Sequence, residues 1–487
     1  MKNIYLTTSD KKMYISGRSI RLSALWFLVF AYLEIFTGLY FVSVLGIALF
    51  VCVATKFFQD LGNRIEIRDL IAFMALMQWI IGPVMAYNIL PYDELYYMAV
   101  PEDTYMNFVV PFCYFMVLGL YLPLRDERII NNEDIDRMKV YIAEHPYLGY
   151  VLAGIGLVAG FTGKALPSSL TFLVFLITNL QYVGMYMILF SSSKYKWLIF
   201  GGIMGLATSA AILQGMFGEL LQWFILSFLI IAMVTRIPMW GKILIVSIGI
   251  FATMLVQSTK EEYRLATWYA SSSKSNSEIY KEIIAQRLSD PSSLFASGPM
   301  ENMAARLNQG WIIARIMNYM PAKQPFVRGE TIESAMYASL LPRFLAPGKV
   351  KAGGRANFER FTGTPLPETT SMDISLVGEG YANFGYGGSM VFIFLICLLY
   401  NWVIVKVIAI SKKNPTLIIW IPLLFFQVMK AETDFATVFN YLFKASILTF
   451  IVFYLTKKIM ELLQNRKKVI VIGNTITGVD PVKAKSA

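Results

Sequence analysis

Apolar blocks long enough to cross a membrane recur along almost the whole chain, and a single long polar segment, residues 257–385, interrupts them. Crossing roughly 30 Å of hydrocarbon takes about 20 mostly apolar residues, fewer where a span is short. By that measure twelve spans are expected, near 22–36, 39–55, 70–89, 104–123, 147–162, 168–190, 197–214, 217–235, 242–257, 386–410, 416–430 and 440–456. With 56% hydrophobic and 15% charged residues and a mean hydropathy of +0.55, the chain fits neither a disordered polymer nor an ordinary soluble domain. The expected fold class is an all-α polytopic membrane protein.

The first two spans carry the weakest boundary. Residues 22–53 are nearly continuous in apolarity, and only Glu34 and the Thr37-Gly38 pair mark a turn. A single span there would invert everything that follows. Lys and Arg concentrate in cytoplasmic loops, and splitting the pair gives one consistent answer. Lys2, Lys11, Lys12, Arg18 and Arg21, then Lys56, Arg64 and Arg68, then Arg125, Arg128, Arg137 and Lys139 all fall on one face. Lys194, Lys196, Arg236, Lys242, Lys412, Lys413 and the basic tail join them. Loops on the other face are short or acidic, with Asp93, Glu94, Glu102, Asp103, Glu432 and Asp434. Both termini are therefore predicted cytoplasmic. The organisation that results is nine spans in 1–257, an external loop at 258–385, three spans in 386–456 and a cytoplasmic basic tail at 457–487.

The net charge of +11 is accounted for by loops facing anionic lipid, and no basic array interleaved with aromatics points to nucleic acid. Cys52, Cys113 and Cys397 lie in apolar blocks without metal-ligand spacing, and His145 is the only histidine. No Gly-x-Gly-x-x-Gly or phosphate-loop motif is present, so nucleotide use has no support. No small-residue cleavage site follows the first apolar stretch, which predicts a retained anchor.

The polar segment concentrates the chemistry. Lys260 and Arg264 follow a span by about one helical turn, where they either hold a phosphate or anchor the helix to headgroups. Residues 278–288 read as a short amphipathic helix. Residues 301–320 are helical in period, with Pro299 before and Pro321 after. Asn302, Arg306 and Gln309 share one face, and Arg315 lies opposite unless the helix breaks at Gly310. Arg328 falls in a turn-rich passage. Pro342 and Pro347 bracket Arg343, holding a planar, permanently charged fork at a fixed place with Lys349 nearby. Arg343 and Gly354 stand ten residues apart. Asp373 and the run Gly378-Glu379-Gly380-Tyr381-Ala382-Asn383-Phe384-Gly385 close the segment. Glu379, Tyr381 and Asn383 alternate there, as a cap for the next span or as the polar lining of a site. Glu432, Asp434 and Lys444 add ionisable groups on the same side.

Twelve spans, cytoplasmic termini and a large loop between spans nine and ten resemble the Wzy-type O-antigen and exopolysaccharide polymerases and the related O-antigen ligases. The stretches Lys260 to Arg264, Arg306 to Trp311, Arg328 to Thr331, Leu341-Pro342-Arg343 with Lys349, and Gly378 to Gly385 look like that family's loop. The resemblance covers the chain in topology and this loop in motif. It implies a bacterial inner-membrane glycosyltransferase of the GT-C type. Its substrates would be undecaprenyl-diphosphate-linked repeat units on the periplasmic side, and a chain-length regulator and a flippase are candidate partners. Such chemistry needs cations for the departing diphosphate and a base for the acceptor hydroxyl. Arg264, Arg306, Arg315, Arg343 and Lys349 are candidates for the first role, and Lys260 and Arg328 for substrate binding. Glu379 is the first choice for the second, with Asp373 and Glu432 behind it, and Tyr381 and Asn383 as sugar contacts. No cofactor is implied. No metal is predicted, because the first external loop is little more than Thr37-Gly38. A ligase would be expected to place a histidine in the large loop, and this loop has none. A transporter would put its polar groups in mid-span, whereas here the loop holds them.

Overall fold

The computed structural model describes residues 4–8, 11–15, 17–63, 65–88, 96–123, 130, 132–167, 170–215, 217–235, 237–269, 275–289, 307–340, 354–368 and 370–476. A hairpin of β1 (Ile4–Thr8) and β2 (Lys11–Ile15) precedes α1 (Gly17–Phe36) and α2 (Phe41–Asp60). The chain thus breaks at residues 37–40, where Thr37 Oγ1 donates to Leu33 O at 2.6 Å and closes the last turn of α1. Then come α3 (Ile67–Leu76), a π-turn (Met77–Ile81), α4 (Gly82–Asn88) and α5 (Glu102–Tyr121). The first half ends with α6 (Asn132–Glu144), α7 (Leu148–Thr162), α8 (Thr171–Thr178), α9 (Leu180–Phe190), α10 (Lys196–Gln214), α11 (Gly218–Thr235) and α12 (Met239–Arg264). The polar segment folds into α13 (Asn276–Ser289), α14 (Gly310–Tyr319), α15 (Glu330–Leu340) and α16 (Arg355–Thr362). The chain then enters α17 (Ser375–Ser411), a 3-10 turn (Pro415–Trp420) with α18 (Ile421–Leu424), and α19 (Phe435–Ile476).

Among the described residues eight helices are long and apolar enough to cross a membrane, or nine if the α6–α7 pair, bent by 80°, is one span. The chain has the make-up of a polytopic membrane protein. Three of the twelve expected spans do not pass that test, and a fourth, 147–162, passes only together with α6. Residues 22–36 form α1, and 242–257 lie in α12, whose apolar part is Met239–Gly249. Residues 416–430 correct the reading most sharply. They form only the 3-10 turn, α18 and a series of turns, and from Thr416 to Met429 every residue is buried. This apolar block is wrapped by other helices and faces no lipid.

Helices approach closely where glycines leave room. A Cβ on Gly156 of α7 would lie 2.7 Å from Thr178 O, and one on Gly119 of α5 would lie 2.6 Å from Phe394 O of α17. Such small-residue contacts are the usual means of packing where hydrophobicity does not separate helix from lipid. Asn401 of α17 donates to Leu122 O at 2.8 Å, tying the end of α5 to the same pair.

The segments holding Lys56, Asp69 and Lys242 meet at one end of the bundle. Lys56 pairs with Asp69 at 2.6 Å, Tyr121 OH donates to Asp69, and Lys242 donates to Phe58 O at 3.3 Å. At the opposite end Ser43 donates to Glu102 at 2.6 Å, Tyr40 to Asn107 at 3.1 Å and Tyr386 to Thr104 O at 3.2 Å.

The polar segment docks on this second end. Gln309 N–H donates to Gln78 O at 3.2 Å, one of the carbonyls that the π-turn leaves open, and Trp79 Nε1 reaches Ala431 O at 3.2 Å. Gly82 makes the approach possible: its missing Cβ would stand 2.8 Å from Asn308 Cα and collide with the Leu307 carbonyl. Gly82→Ala is therefore expected to weaken the docking by about 1–3 kcal/mol. Hydrogen exchange would show it as faster exchange in 307–319 with α5 unchanged, and uniform protection across the segment would refute the role given to Gly82.

Candidate functional site

A glycine-rich run is a poor helix former, yet residues 375–384 are the first turns of α17 and not a loop. Tertiary hydrogen bonds hold them. The helix breaks at Gly385, whose φ of 64° and ψ of −156° lie in a region essentially closed to side-chain-bearing residues. That break takes the i+4 donors away from the carbonyls of Ala382 and Asn383. Val327 and Arg328 of the polar segment replace them, each donating its N–H at 3.0 Å.

Side chains complete the junction. Glu379 is 0% exposed; Thr331 Oγ1 donates to its Oε1 at 2.7 Å, and the Phe435 N–H at the start of α19 donates to its Oε2 at 2.6 Å. Asn383, one turn on, donates to Thr331 Oγ1 and to Glu379 O, both at 2.8 Å, and accepts from Gly329 N–H at 3.0 Å. Glu379 and Asn383 share a face because the segment is helical. Tyr381 points elsewhere, into a cluster with Phe108, Phe326 and Tyr386. Their alternation in sequence therefore does not make one lining. Glu379, with each oxygen already accepting a hydrogen bond, is an organiser of the site.

Around this junction lie more carboxylates. Asp434 caps α19, accepting from Thr437 N–H at 2.9 Å, and is buried. Asp373, half-buried, has its carboxyl pushed up to about 7, first by burial and then by the charges of Asp434 and Glu432. A bond from the Asp434 N–H and the charge of Lys430 oppose that rise. Gly354 abuts Asp373: a Cβ there would lie 2.6 Å from Asp373 Cα. Glu432 is exposed.

Lys430 escaped the sequence reading because it ends an apolar block taken for a span. The signal was the charge density of Lys430-Ala431-Glu432-Thr433-Asp434 directly after it. Its ammonium sits 5.0 Å from the Phe426 ring centre, and burial lowers its pKa while the charges of Glu219, Glu432 and Asp373 oppose the change. Among the described residues no carboxylate forms an ion pair with it.

The predicted cations separate into three groups. Arg328 is exposed at a φ of 51°, an uncommon backbone state for a residue with a side chain, fixed by Asn383. Arg264 and Arg315 have structural contacts. Arg264 donates twice to Gly215 O, at 3.2 and 3.0 Å, and caps α10. Arg315 lies over the rings of Trp311 and Tyr97, at 4.9 and 5.1 Å. Lys260 is on α12. Arg306, Arg343 and Lys349 lie outside the described residues, and α14 begins at Gly310. The site thus unites Asp373, Glu379, Asn383, Asp434 and Lys430, with Arg328 and Glu432 on its exposed side. Among the described residues no group of three His, Cys, Asp or Glu has the arrangement of a metal site.

Two outcomes follow from this electrostatic arrangement. The folded Asp373 binds its proton more tightly than the unfolded chain, so its stabilising contribution is complete at low pH and is lost as pH rises to about 7. Asp373→Asn should raise the thermal midpoint at pH 8 and raise it less at pH 5; an equal gain at both would exclude charge as the cause. Glu379→Ala should cost about 3 kcal/mol, since it leaves the buried Phe435 N–H and the Thr331 hydroxyl without their acceptors. Thermal unfolding checks this, and an unchanged midpoint would remove Glu379 from its organising role. No family model, curated protein or solved structure matches this chain.

Proposed function

We propose that the chain is an inner-membrane glycosyltransferase that polymerises undecaprenyl-diphosphate-linked oligosaccharide repeat units, with the site around Asp373 on the periplasmic face. This reading takes the helices as a GT-C-type bundle with both termini cytoplasmic, and rests on the resemblance of the polar segment. The observation that carries it is Asp373, a half-buried carboxyl lifted to about 7 beside an ammonium and further carboxylates, at the end of the bundle where the polar segment docks.

In the reaction the acceptor sugar hydroxyl attacks the anomeric carbon of the donor chain. A new C–O bond forms, the anomeric C–O bond to the lipid diphosphate breaks, and the hydroxyl proton passes to a base. A base with a pKa near the working pH combines availability with proton affinity. Asp373 has that property and is partly open, whereas both oxygens of Glu379 are occupied, so the base role moves from Glu379 to Asp373. Arg328, exposed and held by Asn383, supplies a permanent charge for the departing diphosphate. Arg343 keeps the leaving-group role that the resemblance gives it.

The test is glycan chain length in a producing strain, with membrane levels of each variant measured in parallel. Asp373→Asn and Arg343→Ala should each reduce long polymer to single-repeat glycan, with at least a hundredfold loss of polymerisation for the first. In vesicles the wild-type rate should rise with pH through about 7, because only ionised Asp373 accepts a proton. Long chains made by Asp373→Asn at normal protein level would end the assignment of the base.

A further inference from the structure

A cavity of about 180 Å³ opens at the other end of the bundle, between the loop after α2, the helix α6 and the junction of α11 with α12. It has room for about six waters at about 30 Å³ each, or for one phosphate ester. Asn63, Asp136, Lys139 and Lys242 supply its polar wall, and Ile135 and Met233 part of the apolar one.

Lys242 is the unusual member. It is 7% exposed, and among the described residues its ammonium makes one hydrogen bond, to Phe58 O at 3.3 Å. An ammonium carries three donors, so two remain for whatever enters the cavity. Asp60 acts on it by charge, but Asp60 is itself ion-paired with Lys56 at 3.5 Å. Lys139 lines the same cavity and pairs with Asp136 across 3.4 Å. Among the described lining residues two ammoniums stand against one carboxylate, an excess of one positive charge that matches one phosphodiester.

The placement of the cavity selects the source of that phosphate. α6 buries Ile135, Met138 and Ile142 and exposes Asp136 and Arg137. It meets the apolar α7 at 80°, so where α7 crosses the membrane α6 lies along its surface. The cavity sits at the edge of α6, on the end that collects Lys56, Lys139 and Lys242. We infer that this cavity binds the phosphodiester of a phospholipid headgroup, with Lys242 and Lys139 as its donors. Basic pockets between helices hold lipid phosphates in this way.

The experiment uses the full chain, purified and delipidated, with dioleoylphosphatidylglycerol, dioleoylglycerol and inorganic phosphate as probes. Native mass spectrometry counts bound molecules and thermal unfolding reads the response. Phosphatidylglycerol should bind and raise the midpoint, dioleoylglycerol should not, and Lys242→Met should weaken the phospholipid at least tenfold. Lys139→Ala, at a partly exposed helix position, should weaken it about threefold. Binding of inorganic phosphate without phosphatidylglycerol would overturn the lipid source. Equal binding of dioleoylglycerol, or binding unaltered in both variants, would overturn the phosphate site itself.

Discussion

One carboxylate ties the polar segment to the helices beneath it. Glu379 belongs to α17, accepts from Thr331 of the polar segment and accepts from the backbone of Phe435 at the head of α19. Its partners lie 48 and 56 residues away in sequence, so the contact exists only when all three elements are assembled. A buried carboxyl is tolerated only when its hydrogen bonds are made, and removing one partner costs more than the bond contributes. The Gly385 break adds a second lock on the same helix, because the carbonyls that it frees must find donors. Val327 and Arg328 are those donors, and Arg328 is thereby fixed at the site.

Much of the helical framework was legible because twenty apolar residues have few alternatives to a helix in or near a membrane. Hydropathy does not tell whether such a block faces lipid or other helices, since acyl chains and packed side chains are equally apolar. Residues 416–430 are the case in point. They are as apolar as a span and enclosed from Thr416 to Met429, and Lys430 at their end went unnoticed for the same reason. In the site, Glu379 and Asn383 were identified by residue type, but their geometry was misread. The alternation of Glu379, Tyr381 and Asn383 makes one lining only in an extended chain. The helical period instead sets 379 and 383 on one face, a result of long-range hydrogen bonds that no local propensity contains.

Charge is handled differently around Asp69 and around Asp373. At the end with Lys56 and Asp69, opposite charges meet directly and neutralise one another. At the other end the charges of Asp434 and Glu432 raise the cost of ionising Asp373, and the nearby Lys430 lies against a ring instead of a carboxylate. Direct pairing of Lys430 with Asp373 would relieve both groups and would hold Asp373 ionised with little affinity for a proton. Leaving them apart keeps a carboxyl whose charge changes near neutrality and an ammonium whose donors are not consumed by it. Perturbed groups of this kind cluster at functional sites, which is what makes this one a candidate. It is maintained by rigid supports: the Asp434 cap on α19, the close approach of Gly354 to Asp373, and the Glu379 junction. The polar segment and the helices beneath it thus meet at one set of hydrogen bonds. A change that loosens those bonds would let the charges pair, and would lose the site without touching Asp373.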